Sequence, residues 1–208
     1  MAEFWEDNFK LKQSMWGSEA VDSAKDAAVL FHEKGLKKIL IPGFGYGRNA
    51  QAFLENGFEI SGIEISETAI ALSKKYISKP LKIYHGPVSE MPFSKDIYDG
   101  IFCYSLIHLL NRQDRDQFIQ NCYKQLKPRG LMIFVAISTN DNRFGIGEKL
   151  DKNYFSSPHG LNLFFYDKED IEAEFREYGL KDYQEIQEPK IQKGHLPGQI
   201  LWRIICEK

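Results

Sequence analysis

Three glycines at alternate positions, Gly43, Gly45 and Gly47, lie in the stretch ILIPGFGYGRNAQAF (residues 39–53), between an apolar run and a segment of helical spacing. A turn without side chains between a strand and a helix lets a ligand touch main-chain N–H groups, because no Cβ holds it off. Glu64 closes the next apolar run, 21 positions after Gly43. There a carboxylate can accept both hydroxyls of a ribose lying across the strand ends. The pairing selects a nucleoside without saying which one. A dinucleotide fold asks for G-x-G-x-x-G, its last glycine allowing close helix packing. Here Arg48 follows Gly47, and so bulky a side chain weakens the dinucleotide reading. A plain strand–helix turn would account for the glycines but not for the carboxylate.

The elements that must hold these groups follow from hydrophobic periodicity. From Lys37 onward, short β-branched or aromatic runs alternate with helical periods, the pattern of βαβ units. Strands are predicted over Lys37–Gly43, Phe58–Glu64, LKIYHG (81–86), YDGIFCYS (98–105), LMIFVAIS (131–138), LKDYQEIQE (180–188) and GQILWRIICEK (198–208). Helices are predicted at about Glu19–Lys34, Arg48–Asn56 closed by Gly57, and Ser66–Ser78 with Ser66 as cap and Pro80 as stop. Another follows on the apolar face Phe118, Cys122 and Leu126, ended by Lys127–Gly130, and a last one at about Lys168–Tyr178. No helix separates the last two strands, so they form an antiparallel pair. The sheet then has seven strands with the last reversed.

Two segments fall outside this rhythm. Residues 1–35 carry Phe4, Trp5, Phe9 and Trp16 ahead of the first helix; Thr139–Phe165 is a long stretch holding Phe144, Tyr154, Phe155, His159 and Phe164. A loop of that length in a compact domain is a lid, a binding element or disordered, and its aromatic content argues against disorder. The insertion, residues 139–165, is therefore expected over the active site.

Composition narrows the function classes. A chain of 208 residues with 43% hydrophobic content suits one domain, and a net charge of −2 with scattered lysines and arginines lacks the basic stripe of a nucleic-acid binder. The start, MAEFWEDNFKLKQ, has no apolar core behind a basic segment. Cys103, Cys122 and Cys206 are odd in number and sit among apolar neighbours, as buried free thiols do. His85, His159 and His195 have no second ligand at metal-like spacing. The expectation is a cytoplasmic monomer with no metal, no nucleic-acid partner and no membrane partner.

These residues resemble the class I S-adenosylmethionine-dependent methyltransferases. ILIPGFGYGRN is similar to their first motif, GIEIS to the acidic second, GPVSEMPF to the adenine-contacting turn, YDGIFCYSLIHLL to the fourth, and QLKPRGLMIF to the segment entering strand five. Within that family, FWEDNF, IPGFGYG and GIEISETAI resemble the branch of thiopurine and tellurite-resistance methyltransferases. The resemblance implies an α/β, single-domain, Rossmann-like three-layer sandwich whose seven-stranded, mostly parallel sheet has an antiparallel last strand. It also implies S-adenosyl-L-methionine over Gly43, Gly45 and Gly47, its ribose on Glu64, and Trp5 and Phe9 folded over it. Adenine falls to Ile65, Val88 and Ser89. Many relatives place Asp in that turn where this chain has Pro87, which leaves Ser89 or main chain to read the base.

An aromatic face attracts a sulfonium by about 0.5–2 kcal/mol when water is excluded, and Trp5, Phe9 or Tyr104 can supply it. His108, a few residues after strand four, is the candidate base. A thiolate acceptor needs no base, whereas an amine or hydroxyl must shed a proton. The expected function is methylation of a small molecule at S, N or O. The alternatives are a non-catalytic nucleoside-binding protein and a methyltransferase of a macromolecule; a nicotinamide oxidoreductase is disfavoured by Arg48.

Overall fold

The strands with the least polar sequences lie where both faces are covered, as parallel sheets require. The computed structural model describes residues 2–191 and 198–208. In chain order the elements are α1 (Ala2–Lys12), α2 (Asp22–Glu33), β1 (Lys38–Pro42), α3 (Ala50–Glu55), β2 (Glu59–Glu64), α4 (Glu67–Tyr76), β3 (Lys82–His85), β4 (Tyr98–Tyr104), α5 (Arg112–Gln125), β5 (Leu126–Ile137), β6 (Glu148–Asp151), β7 (Tyr154–Ser156), β8 (Asn162–Phe164), α6 (Lys168–Phe175), β9 (Leu180–Glu188) and β10 (Gln199–Glu207). The main sheet has the order β3-β2-β1-β4-β5-β10-β9. β1 pairs in parallel with β2 and β4, and β4 with β5, while β10 runs antiparallel to both β5 and β9. The reversed last strand is thus present, wedged between β5 and β9.

Alternation along the strands divides the core into two layers. On one face Phe102, Ile133, Val135 and Ile137 pack with Phe31 of α2 and Phe53 of α3. On the other, Cys103, Phe134 and Ile204 pack with Phe118 and Cys122 of α5 and Phe175 of α6. All three cysteines are free and buried.

Caps fix several helix starts. Ser66 Oγ accepts from Ala69 N at 3.0 Å and Asn111 Oδ1 from Asp114 N at 2.9 Å. The start of α2 has no cap of its own: Val21 stands at the cap position, and Glu188 at the end of β9 supplies the missing acceptor. Its carboxylate accepts from Ser23 N at 2.8 Å and from Ser23 Oγ at 2.6 Å.

Three expectations shift. The helix placed at Arg48–Asn56 is shorter, Ala50–Glu55, because Asn49 instead turns its Oδ1 to Val21 N at 3.2 Å. Phe4, Trp5 and Phe9 do not precede the first helix but lie in one, α1, with Trp16 in the turn after it. The stretch Thr139–Phe165 folds as a three-stranded antiparallel sheet, β6-β7-β8. No helix among the described residues is long and apolar enough to cross a membrane.

Candidate active site

The turn after β1 carries the three glycines at positive φ: 68° at Gly43, 57° at Gly45 and 82° at Gly47. At Gly47 an added Cβ would stand 2.4 Å from Ile77 Cδ1, and at Gly43 3.1 Å from Leu106 Cδ2, so the left-handed backbone angle favours glycine and the crowding adds to it. The turn is tied to the end of β2 through Phe44 N and Ile63 O, 2.9 Å apart. Glu64 completes the tie. Its Oε2 accepts from Gly45 N at 2.6 Å, and its Oε1 from Ile65 N and Ser66 N, each at 2.9 Å. The residue is buried, which pushes its pKa above the ordinary carboxylate value although the three N–H groups pull the other way.

Helix α1 lies across this turn. Phe9 Cζ is the atom nearest to where a Gly45 side chain would begin, at 3.9 Å. Trp5 and Phe9, one turn apart, pack with Trp16 and Tyr46 at centroid distances between 5.8 and 6.2 Å. The Tyr46 hydroxyl accepts from Trp16 N at 3.2 Å and donates to Gly17 O at 2.7 Å. Glu6 fastens the helix to the first turn of α4: it accepts from Ser66 Oγ at 2.7 Å, Thr68 Oγ1 at 2.6 Å and Thr68 N at 3.2 Å. These bonds, led by those of Thr68 and Ser66, lower its pKa to about 2.

Beyond the ends of β4 and β5 the chain is built differently. Tyr104 stacks on Phe102 at 6.5 Å, and its hydroxyl lies beside the Glu188 carboxylate; burial first and that charge second push its pKa up. His108 sits in a single 3-10 turn, Ile107–Leu109, and is 6% exposed. Its Nδ1 accepts from Ile137 N at 3.3 Å. Burial chiefly, with Arg143 adding to it, holds the imidazole pKa at about 3, so the ring is neutral.

The small sheet is anchored to α5 and α6. The Arg115 guanidinium lies 3.7 Å from the centre of the Phe164 ring and donates from Nη2 to Glu174 at 2.8 Å, while the Tyr166 hydroxyl donates to Glu174 at 2.7 Å. Asn153 Nδ2 donates to Asp167 at 2.9 Å and Asp170 at 2.8 Å.

Residues 40–134 match the family model described as a methyltransferase domain. That stretch, a little under half of the chain, is similar to the methyltransferase-domain family. Among curated relatives, tRNA N(3)-methylcytidine methyltransferase Mettl2 of Drosophila melanogaster is 22% identical over 89% of this chain and 60% of its own length. Thiocyanate methyltransferase 1 of Arabidopsis thaliana is 29% identical over 58% of this chain and 55% of its own. The chain thus spans between half and two thirds of these relatives. Among solved structures, the 1,6-didemethyltoxoflavin-N1-methyltransferase of Burkholderia thailandensis, with 1,6-didemethyltoxoflavin and S-adenosylhomocysteine bound, superposes with a TM-score of 0.73 at 16% identity, covering 100% of this chain and 86% of that one. TehB from Haemophilus influenzae gives 0.67 at 19% identity, covering 98% and 67%. At such identities the superpositions speak for the fold.

Within this methyltransferase fold, Gly43, Gly45, Gly47, Glu64, Ile65, Trp5 and Phe9 come together around the turn after β1. Val88 and Ser89 form one 3-10 turn after β3; Val88 is buried, and the Ser89 hydroxyl has no partner among the described residues. Tyr104 makes no ring contact with Trp5 or Phe9; it faces Glu188 instead. The described residues contain no group of three or more His, Cys, Asp or Glu able to hold a metal ion, and His195 lies outside them. Sequence reasoning missed Glu6, whose position between Trp5 and Phe9 on a helix was the available signal, and Arg115, whose aromatic and carboxylate partners are 49 to 59 residues away and leave no local trace.

Proposed function

We propose that this chain transfers the methyl group of S-adenosylmethionine to a small-molecule acceptor at the C-terminal edge of β1, β2, β4 and β5. One observation carries the reading: a turn whose three left-handed backbone positions favour glycine is bonded to a buried carboxylate and roofed by aromatic rings. The residues fit the cofactor. Glu64 has about four acceptor positions and uses three of them on N–H groups, so a ribose hydroxyl can take the fourth, and a second can exchange with Gly45 N. The N–H of Ile65 and the turn at Val88 and Ser89 suit adenine, and Trp5 and Phe9 keep water from the sulfonium.

When bound, the cofactor supplies an electrophilic methyl on sulfur, and the reaction is an in-line displacement by a lone pair of the acceptor. The chain's part is to hold the acceptor in line and keep the site dry, which favours a step that cancels charge. The insertion supports a small acceptor, since it is bonded back onto α5 and α6 and the chain carries a net charge of −2.

The Mettl2 likeness, which spans 89% of this chain, favours a second reading, methylation of tRNA. Calorimetry with S-adenosylmethionine, followed by turnover of methyl-labelled cofactor with thiophenol, thiocyanate, catechol, 4-hydroxypyridine, benzylamine and unmodified tRNA, tests both. Transfer to one or more small molecules is expected. Transfer to tRNA alone would replace this reading with the second, and binding without any transfer would leave a nucleoside-binding protein.

A further inference from the structure

Beyond the ends of β4 and β5 lies a buried polar group whose chemistry is half used. His108 follows β4 by four residues and packs beneath Ile137, at the end of β5. Its Nδ1 lone pair is taken by the Ile137 N–H, so the neutral ring must carry its proton on Nε2. Nε2 has no hydrogen-bond partner among the described residues. Nor is it sealed in protein: among the described residues, the side-chain N or O atom that is both fully buried and unpartnered is Arg203 Nε, on β10. His108 therefore presents one unpaired N–H donor through the small opening that its 6% exposure leaves.

We propose that His108 is a hydrogen-bond donor that orients the methyl acceptor through Nε2–H, and that the acceptor is a molecule offering an unprotonated lone pair beside its nucleophilic atom, such as a ring nitrogen, a carbonyl oxygen or an anion. The inference rests on the methyl-transfer reading above. It also changes the role expected from the sequence. A base must offer a lone pair, and here one nitrogen is occupied by a main-chain N–H while the other already bears a proton. The charged groups facing the ring are Asp141, whose carboxylate is bonded to Arg143 and to Ile200 N, and Arg143 itself. From the α5 side, Arg115 donates to Leu110 O at the end of the same turn and to Glu174. Asp141 and Glu174 are thus each paired, so neither holds a second proton on the ring. Burial explains why the ring stays neutral while its donor remains available at acid pH.

The tautomer can be read without turnover. Long-range nitrogen–proton spectra of the full chain labelled at its five histidines, with S-adenosylhomocysteine added and the signal assigned by its loss in His108→Asn, should show the Nε2–H form unchanged between about pH 5 and 8. An Nδ1–H form, or titration in that range, would overturn the proposal. Two variants then separate the ring's functions. The amide of Asn reaches about as far as Nδ1 and can still accept from Ile137 N, whereas the amide of Gln reaches about as far as Nε2 and can still donate. With 4-hydroxypyridine or thiocyanate, His108→Asn is expected to raise the acceptor KM roughly three- to tenfold, the worth of one neutral hydrogen bond, leaving cofactor affinity unchanged. His108→Gln should stay within about twofold of the wild type, and the wild-type rate should be flat from about pH 5 to 8. Equal loss in both variants, or a rate rising with pH in step with a group of pKa near 6.5 that disappears in His108→Gln, would refute the donor role. Absence of any methyl transfer by the wild type would defeat the methyl-transfer reading itself and the acceptor role with it. Transfer with the wrong response to the His108 variants defeats only the present inference.

Discussion

Replacing Glu64 by Gln tests the centre of the site with almost no change of volume. The amide oxygen can keep the two bonds that Oε1 accepts from Ile65 N and Ser66 N, but the amide nitrogen then faces Gly45 N across a gap that is 2.6 Å in the native chain. Two donors meet, and one bond to a charged acceptor is lost, worth about 1.5–3 kcal/mol. At about 2–4 °C per kcal/mol for a domain of this size, the melting temperature should fall by about 3–12 °C without ligand. Affinity for S-adenosylmethionine should fall by a further 1–3 kcal/mol or so, since the hydroxyl pair loses its charged partner. Scanning fluorimetry and calorimetry measure the two effects separately. A melting temperature within about a degree of the wild type would show that the Gly45–Glu64 bond carries no weight in solution. A lower melting temperature with unchanged affinity would make Glu64 a brace for the turn and not a ribose ligand. The pH dependence has a definite sign. Because burial raises the folded-state pKa of Glu64 above 4.5, its own contribution to stability is fully present below the unfolded value and is lost as pH rises through the folded one. With Glu64 as the proposed ribose ligand, cofactor affinity should move oppositely and weaken as pH falls through that same value.

Other consequences are open to measurement. Glu6 has a depressed pKa, so its hold on α4 is present above the unfolded value of 4.5 and lost as pH falls toward about 2; the fluorescence of Trp5 and Trp16 should shift over that range in the wild type and not in Glu6→Gln, and an identical shift in both would clear Glu6 of the role. Hydrogen exchange should show the amides of α1 better protected when S-adenosylmethionine is added, whereas equal protection with and without it would make Trp5 and Phe9 ordinary core residues. Arg115→Leu strands the Glu174 carboxylate, with only the Tyr166 hydroxyl left to it, and should cost about 3–5 kcal/mol in urea unfolding. Much of that loss should return in the double variant Arg115→Leu/Glu174→Leu; a loss below about 1 kcal/mol would mean that the pair is solvated.

What could be read from the sequence was local and periodic. The seven strands, the reversed last one and the turn at Gly43–Gly47 follow from apolar runs, glycine spacing and the missing crossover helix before the last strand. Even helix ends were close, since Ser66 caps where a serine should. The insertion was not legible as a sheet because its strands are three or four residues long, too short for alternation to stand out, and its hairpin turns at Asn153, a non-glycine residue at φ 59°. The N-terminal aromatics were noticed, but Trp5 and Phe9 make a single i, i+4 pair, a weak signal for a helix whose hold is Glu6 on residues 60 and 62 positions away. His108 illustrates the same limit. Its place after β4 could be read, but the state of its two nitrogens depends on Ile137, 29 positions further on.

The cap on α2 links one of the first helices to nearly the last strand. Ser23 waits for Glu188, 165 residues later, and β9, which carries Glu188, reaches the sheet only through β10, whose last residue is 207. During synthesis, α2 therefore stays without the cap, worth about 0.5–2 kcal/mol, and the outer edge of β5 stays bare until the nine-residue β10 has left the ribosome. Every earlier length of the chain is a sheet with an open apolar edge, a template for pairing with other chains. Deleting β10 should therefore reduce soluble yield sharply, even though the glycine turn and Glu64 belong to the first third of the chain.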